Sequence, residues 1–230
     1  MLFRHGEPIW VDFPDLVAGA IFIDGVNEQA NVSEKVAELT NRATTRIDSG
    51  TESDLPEIQA WRRTFSKMGL KPTQYRCASE ALLRRLRKDT FLPSIHPVID
   101  LCNAYSVAYA IPVAVFDTSK ITGNLIVRRA IGSEMYETFT GDIENPEPDE
   151  VIFVDDAERA HARRWVNRQS AYSAVRPETT SILVVSEAMH PTAAQDVRHL
   201  IEELSFDFGT IWNIRLRAAI LTRDSPSIAR

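Results

Sequence analysis

Three groups of residues carry polar chemistry beyond that of an ordinary surface. Asp100 and Asn103 stand three apart among apolar neighbours in VIDLCNAYSVAYA, a segment whose pattern predicts a buried helix over 98–110. Residues at that spacing share a helix face. A carboxylate and an amide placed there must find hydrogen-bond partners or line an opening. In the second case Asn103 could orient a carbonyl, an amine or a ribose hydroxyl. Arg164, Trp165, Arg168 and Gln169 combine two guanidinium forks, an indole face and a neutral amide. That set can stack on a base or hold a carboxylate or phosphate. Glu187 ends a predicted strand over 180–186, where it is either an exposed strand-end carboxylate or a base or amine anchor.

Common catalytic signatures are missing. There is no glycine-rich phosphate loop, no zinc-spaced cysteine set and no nucleophile elbow. His5, His96, His161, His190 and His199 lie in separate segments, none four residues from another. No histidine metal site is therefore expected, and no cofactor is implied. Cys77 and Cys102 are too far apart for a metal knuckle and read as reduced thiols, buried or lining a pocket. The net charge of −6 and pI near 5.4 argue against non-specific binding to a phosphate backbone. Any RNA contact must be local, at Arg84, Arg85, Arg87 and Lys88 or at Arg159, Arg163, Arg164 and Arg168. The first cluster reads first as a solvated helix face. No run approaches the roughly 20 apolar residues of a membrane span, and MLFRHGEPIW lacks the apolar centre of a secretory signal. The cytoplasm is the simplest location.

The elements that must position these residues follow from periodicity. Residues 14–26 form an apolar run closed by Asp24-Gly25, predicting a strand. Helices are expected from Ser33 to about Asp48, from Ser53 or Asp54 to Gly69 with a core stripe of Ile58, Trp61, Phe65 and Met68, and from Ser79 through the leucines of ALLRRLRK. Short strands are expected over 111–117, 121–130, 134–139 and 151–155, and a β-branched one over 180–186. Thr192 is expected to cap a last helix ending at Gly209, followed by a short tail. Helices and strands alternate without a regular βαβ beat, so the fold class is α+β, with a mixed or antiparallel sheet core and packed helices.

Residues 93–130, PSIHPVIDLCNAYSVAYAIPVAVFDTSKITGNLIVRRA, resemble the core of the editing domain of the phenylalanyl-tRNA synthetase β subunit. That family shows a proline, a V-V-D-V-T-N-Y helix, Q-P-x-H-A-F-D, K-x-x-G and a strand such as I-V-V-R-R-A. Asp100, Asn103, Pro112, Phe116, Asp117, Lys120, Gly123 and 127–130 stand where this pattern puts them. SAVRPETTSILVVSE, residues 173–187, is similar to the family's S-G-V-T-E-E-T-x-x-I-L-L-E stretch. The resemblance covers about residues 75–190. It implies a packed extension over 1–74, an editing-like core over 75–190 and a C-terminal helix and tail over 191–230, as one compact unit. It also implies deacylation of mischarged tRNA. Asn103 would then position the aminoacyl ester and attacking water, and Arg164 and Arg168 would contact the tRNA terminus. Trp165 and Gln169 would shape the pocket beside Asp100, and Arg76 or Glu187 would hold the amino acid's charges. The family's histidine is Ala114 here, the threonine beside its asparagine is Cys102, and its glutamate falls on Val185, with Glu187 two residues on and facing the same way. These departures leave open a non-catalytic module that binds an amino acid or the 3′ end of tRNA, and a protein-interaction domain with a closed pocket.

Overall fold

A computed structural model describes residues 1–48 and 50–230. In chain order its first half comprises β1 (Leu2–His5), α1 (Glu7–Asp12), β2 (Val17–Asp24), α2 (Ser33–Ile47), α3 (Pro56–Lys67), α4 (Ala78–Asp89) and α5 (Pro97–Tyr109). The second half comprises β3 (Val113–Asp117), β4 (Leu125–Arg129), β5 (Tyr136–Glu137), β6 (Ile143–Glu144), β7 (Val151–Asp155), β8 (Ala160–Arg163), β9 (Arg168–Gln169), β10 (Ser181–Ala188), α6 (Ala193–Ile211), β11 (Leu216–Leu221) and β12 (Ser227–Ala229). The architecture is α+β.

One sheet has the order β11-β2-β10-β3 and is antiparallel throughout. Its central strand, SILVVSEA, reads as a continuous apolar run because both faces are covered. Ile182 and Val184 turn toward α5 and α6, where they meet Leu101, Tyr105, Val197 and Leu200. Leu183 and Val185 turn the other way, toward Phe3, Val127 and Phe153 of the second sheet. That second sheet has the order β12-β1-β4-β7-β8-β9 and is antiparallel except where β1 pairs with β4. The chain is thus layered as helices, sheet, sheet, with the largest core between the sheets and sealed by α3, α4 and Trp165. The β5–β6 hairpin and Tyr136 cover the outer face of the second sheet. Gly19, inside β2, lets α6 approach: a Cβ there would lie 2.3 Å from Ile201 Cγ1.

Several expectations change. Residues 1–74 supply β1, between β12 and β4, and β2, between β11 and β10, so they are woven into both sheets rather than packed outside them. The expected tail after Gly209 holds β11 and β12, and Gly209 lies inside α6. Ser33 is already helical, its N–H donating to Asn31 Oδ1 at 3.0 Å. Ser53 and Asp54 belong to a short 3-10 turn boxed by Thr51, and α3 begins after it at Pro56. The strand expected over 134–139 shortens to Tyr136–Glu137. No helix of the described residues is long and apolar enough to cross a membrane.

Candidate functional site

The β8–β9 hairpin pairs Ala162 with Gln169 and Arg163 with Arg168, leaving a four-residue loop, 164–167. Arg164 (φ 48°) and Trp165 (φ 58°) both sit in the left-handed region. Two such residues in succession cost on the order of 1–3 kcal/mol each, so surrounding contacts must hold them. They do. The Arg164 N–H donates to Glu150 Oε1 at 2.7 Å, the Trp165 N–H to the Val151 carbonyl at 2.7 Å, and Asn167 Nδ2 to the Arg76 carbonyl at 2.7 Å.

The twist drives the Trp165 indole inward until it is 0% exposed. It packs edge-on to Trp61, centroids 5.2 Å apart, and to Phe13, 4.9 Å apart. Its Nε1–H donates to Glu187 Oε1 at 2.9 Å. The same oxygen accepts from His5 Nε2 at 2.6 Å, and the Glu187 carbonyl accepts from Trp61 Nε1 at 3.3 Å. Glu187, next to last in β10, is therefore a carboxylate only 2% exposed that links the two sheets through His5 on β1. Its carboxylate is engaged by His5 and Trp165 and lies outside the lining of the neighbouring pocket.

On the other side of the indole lies a pocket of about 70 Å3, lined by Ala78, Ala114, Phe153, Trp165, Asn167, Arg168 and Gln169 among others. Gln169 Nε2 donates to the Val115 carbonyl at 2.5 Å. Gln169 and Asn167 thus each spend an N–H on a backbone carbonyl, which fixes the amides and leaves each an oxygen and a second N–H for other partners. The lining holds no carboxylate, imidazole or thiol. A water needs about 10–15 Å3 of such space, so the pocket takes several waters or a small organic group.

Of the residues named from sequence, Ala114, Trp165, Arg168 and Gln169 come together here. The others go elsewhere. Asn103 is half-buried on α5, one turn before Val107 on the stripe that enters the inter-sheet core, outside the pocket lining. Cys102 lies in the opposite core, where burial pushes its thiol far above the ordinary range, and burial raises Cys77 to about 11. Neither is a nucleophile. The Asp100 carboxylate folds back on its own helix entry, accepting from Ser94 Oγ at 2.6 Å and the Ile95 N–H at 2.7 Å. The Arg76 guanidinium pairs with buried Glu80 at 3.5 Å and with the Thr73 carbonyl at 2.9 Å. These geometries leave Asp100, Cys102, Arg76 and Glu187 without a direct route to a ligand in this pocket.

The arginines are largely balanced. Arg168 lies at the rim, 3.4 Å from Glu144. Arg164 stacks on Tyr75, 4.8 Å to the centroid, and approaches Glu150 at 4.0 Å. It lines a separate groove of about 350 Å3, in which Lys67, Arg129 and Arg164 face Glu147, Asp149 and Glu150. Three cations against three carboxylates give no net field to track a phosphate chain. In the other basic stretch, Arg84 and Arg87 pair with the buried Glu52 at 2.9 and 3.1 Å, and Arg85 with Asp89 at 3.6 Å. Sequence reasoning missed His5 and Asn167, and took Trp61 as core stripe alone. The only pointer to Asn167 was its place between Trp165 and Arg168, two residues that stand out in the sequence. Elsewhere, Glu57, His190 and Asp196 each bring a potential ligand atom within 4.8 Å of the other two.

The sequence profile of the B3/4 domain family matches residues 60–205, well over half of the chain and the whole of the pocket lining. Among solved structures, one similar in fold is an N-terminal fragment of the phenylalanyl-tRNA synthetase β subunit from Pyrococcus horikoshii, with a TM-score of 0.49 and 8% identity. The alignment covers 94% of this chain and 50% of that one, so the chain spans about half the fragment's length. No curated protein matches the chain.

Proposed function

The chain belongs to the B3/4 domain family, and on that premise we propose that it acts on the aminoacyl end of charged tRNA, as a free-standing deacylase of esters carrying a small side chain. The observation that carries this reading is the pocket beside Trp165, where Trp165, Arg168 and Gln169, singled out by their chemistry, meet Ala114, singled out through the resemblance to the synthetase editing domain. In this reading the ester carbonyl and one water enter between Gln169 and Asn167. The amide N–H groups polarise the carbonyl, and an amide oxygen orients the water. Attack forms a tetrahedral centre, the ribose oxygen leaves with the water's proton, and a free amino acid and tRNA result. With no carboxylate, imidazole or thiol in the lining, acceleration comes from positioning and from dipoles fixed before reaction. An aminoacyl ester is activated enough for that to suffice. Asn103 stands outside the lining, so the positioning role passes to Gln169 and Asn167. The modest size of the pocket, about 70 Å3, favours a small side chain over a phenol ring.

The same absence of an acid or base favours a second reading, a binding module for an amino acid or aminoacyl ester that performs no chemistry. The two separate cleanly. The first gives turnover of at least one mischarged tRNA above the buffer rate, lost in Gln169→Ala. The second gives a ligand-dependent rise in melting temperature without turnover, because a ligand that binds only the folded state stabilises it by mass action.

A further inference from the structure

Away from the pocket, three segments distant in sequence meet. Glu57 lies in the first turn of α3, His190 follows β10 by two residues, and Asp196 is in the first turn of α6. His190 Nε2 donates to Asp196 Oδ2 at 2.8 Å, and Thr192 Oγ1 donates to the same oxygen at 2.6 Å. Arg46 donates to Glu57 Oε1 at 2.7 Å. Those bonds exhaust the donors. Glu57 Oε2 and His190 Nδ1 are both buried without a hydrogen-bond partner, on residues 7% and 3% exposed. The unpaired Glu57 oxygen is costly unless something electropositive fills the space, and the proton that His190 Nε2 shares with Asp196 marks the position an ion would take over.

We propose that Glu57, His190 and Asp196 form a binding site for a first-row divalent transition metal, of which zinc is the representative. One ligand atom from each residue lies within 4.8 Å of the others, against a ceiling of about 4.4 Å for two bonds of roughly 2.2 Å to a common ion, so a small side-chain shift completes the set. One imidazole nitrogen with two carboxylate oxygens suits a borderline cation. Magnesium and calcium prefer all-oxygen shells and are not the fit. Thr192 and Arg46 supply the supporting bonds, one to each carboxylate, that orient metal ligands in such sites. By sharing one carboxylate, Arg46 also weakens the site relative to one with both carboxylates free. The site is not sealed. His190 borders a groove of about 580 Å3 that also holds Arg63, Thr222 and Arg223, giving the ion an entry path and leaving room for a water as a further ligand. The rival occupant is a proton, with an imidazolium paired to both carboxylates.

The test uses the full chain, stripped with a chelator and dialysed. Cobalt(II) is titrated while visible absorption is followed, zinc is then added in competition, and magnesium serves as the control. One equivalent of cobalt should give a visible band that zinc abolishes and magnesium does not. His190→Ala and Asp196→Asn should each weaken zinc by at least ~10-fold, and Thr192→Val by roughly 10-fold as a supporting contact, each with a native far-UV circular dichroism spectrum. If His190→Ala does not fold, the near-isosteric Asp196→Asn carries the comparison. A folded wild type that takes up neither metal, or takes up both with unchanged affinity in His190→Ala and Asp196→Asn, overturns the proposal and leaves the imidazolium as the occupant.

Discussion

Replacing Glu187 by alanine should be among the most damaging single changes in this protein, for reasons that can be followed atom by atom. The carboxylate accepts from His5 Nε2 at 2.6 Å and from Trp165 Nε1 at 2.9 Å, and all three side chains are essentially sealed from water. Truncation leaves both donors without an acceptor and opens a void between the sheets. Breaking a buried, charge-assisted pair in this way costs about 3–5 kcal/mol. In a chain of 230 residues, each kcal/mol lowers the melting temperature by about 2–4 °C, so Glu187→Ala should lose roughly 6–20 °C. Glu187→Gln keeps the volume and one acceptor oxygen. It should cost about 1–2 kcal/mol, the scale of a weakened hydrogen bond, and roughly 2–8 °C. Thermal unfolding followed by circular dichroism gives the order. The near-ultraviolet spectrum reports whether the Trp165 indole stays fixed, since its left-handed loop has lost an anchor. A Glu187→Ala variant within about 1 kcal/mol of wild type, or one more stable than Glu187→Gln, would refute the view that this carboxylate ties the sheets together.

Two further perturbations test the fold. Burial alone would raise the Asp155 carboxyl, but nearby His161 and the backbone N–H groups of Thr122, Ala157 and Arg159, donating at 2.9, 3.0 and 2.9 Å, hold it at about 2, below its ordinary 3.8. His161 Nε2, 3.3 Å from Asp155 Oδ2, is the largest of the lowering influences, and the backbone donors add to it. A depressed carboxyl stabilises the fold above its unfolded value and ceases to do so as pH falls through its folded value. Urea midpoints should therefore drop between about pH 4 and pH 2 more steeply in wild type than in Asp155→Asn, and parallel curves would contradict the assignment. Gly19→Ala should cost about 1–3 kcal/mol by overpacking, read as a lower urea midpoint, because the added Cβ meets Ile201 at 2.3 Å.

The sequence disclosed elements whose own pattern is strong. Helices α2, α4 and α5 lie close to where their apolar stripes put them, and β7 and β10 match their apolar runs. It did not disclose β1, four residues containing Arg4 and His5, which is a strand because β12 and β4 flank it. Nor did it disclose β11, whose short LRAAIL run gains its partner only when β2 is in place. The site divides the same way. Trp165, Arg168 and Gln169 stood out by side-chain chemistry and Ala114 by resemblance, and the four do converge. The burial of Glu187 could not, because its partner His5 is 182 positions away and a carboxylate after an apolar strand is ordinarily exposed. Asp100 looked available for a ligand because helix periodicity gives its direction but not the backbone N–H groups that occupy it. Glu57, His190 and Asp196 form no spacing that a sequence reader could notice.

Deacylation of a panel of mischarged tRNAs tests the central claim most directly, with the wild type run beside Gln169→Ala and beside Ala114→Phe, which fills the pocket. The account predicts that an ester bearing a small side chain is hydrolysed above the buffer rate, and that both variants lower its kcat/KM at least ~10-fold, a barrier increase of about 1.4 kcal/mol. Turnover that both folded variants retain in full would place the chemistry elsewhere, and no turnover of any member of the panel would contradict the deacylase.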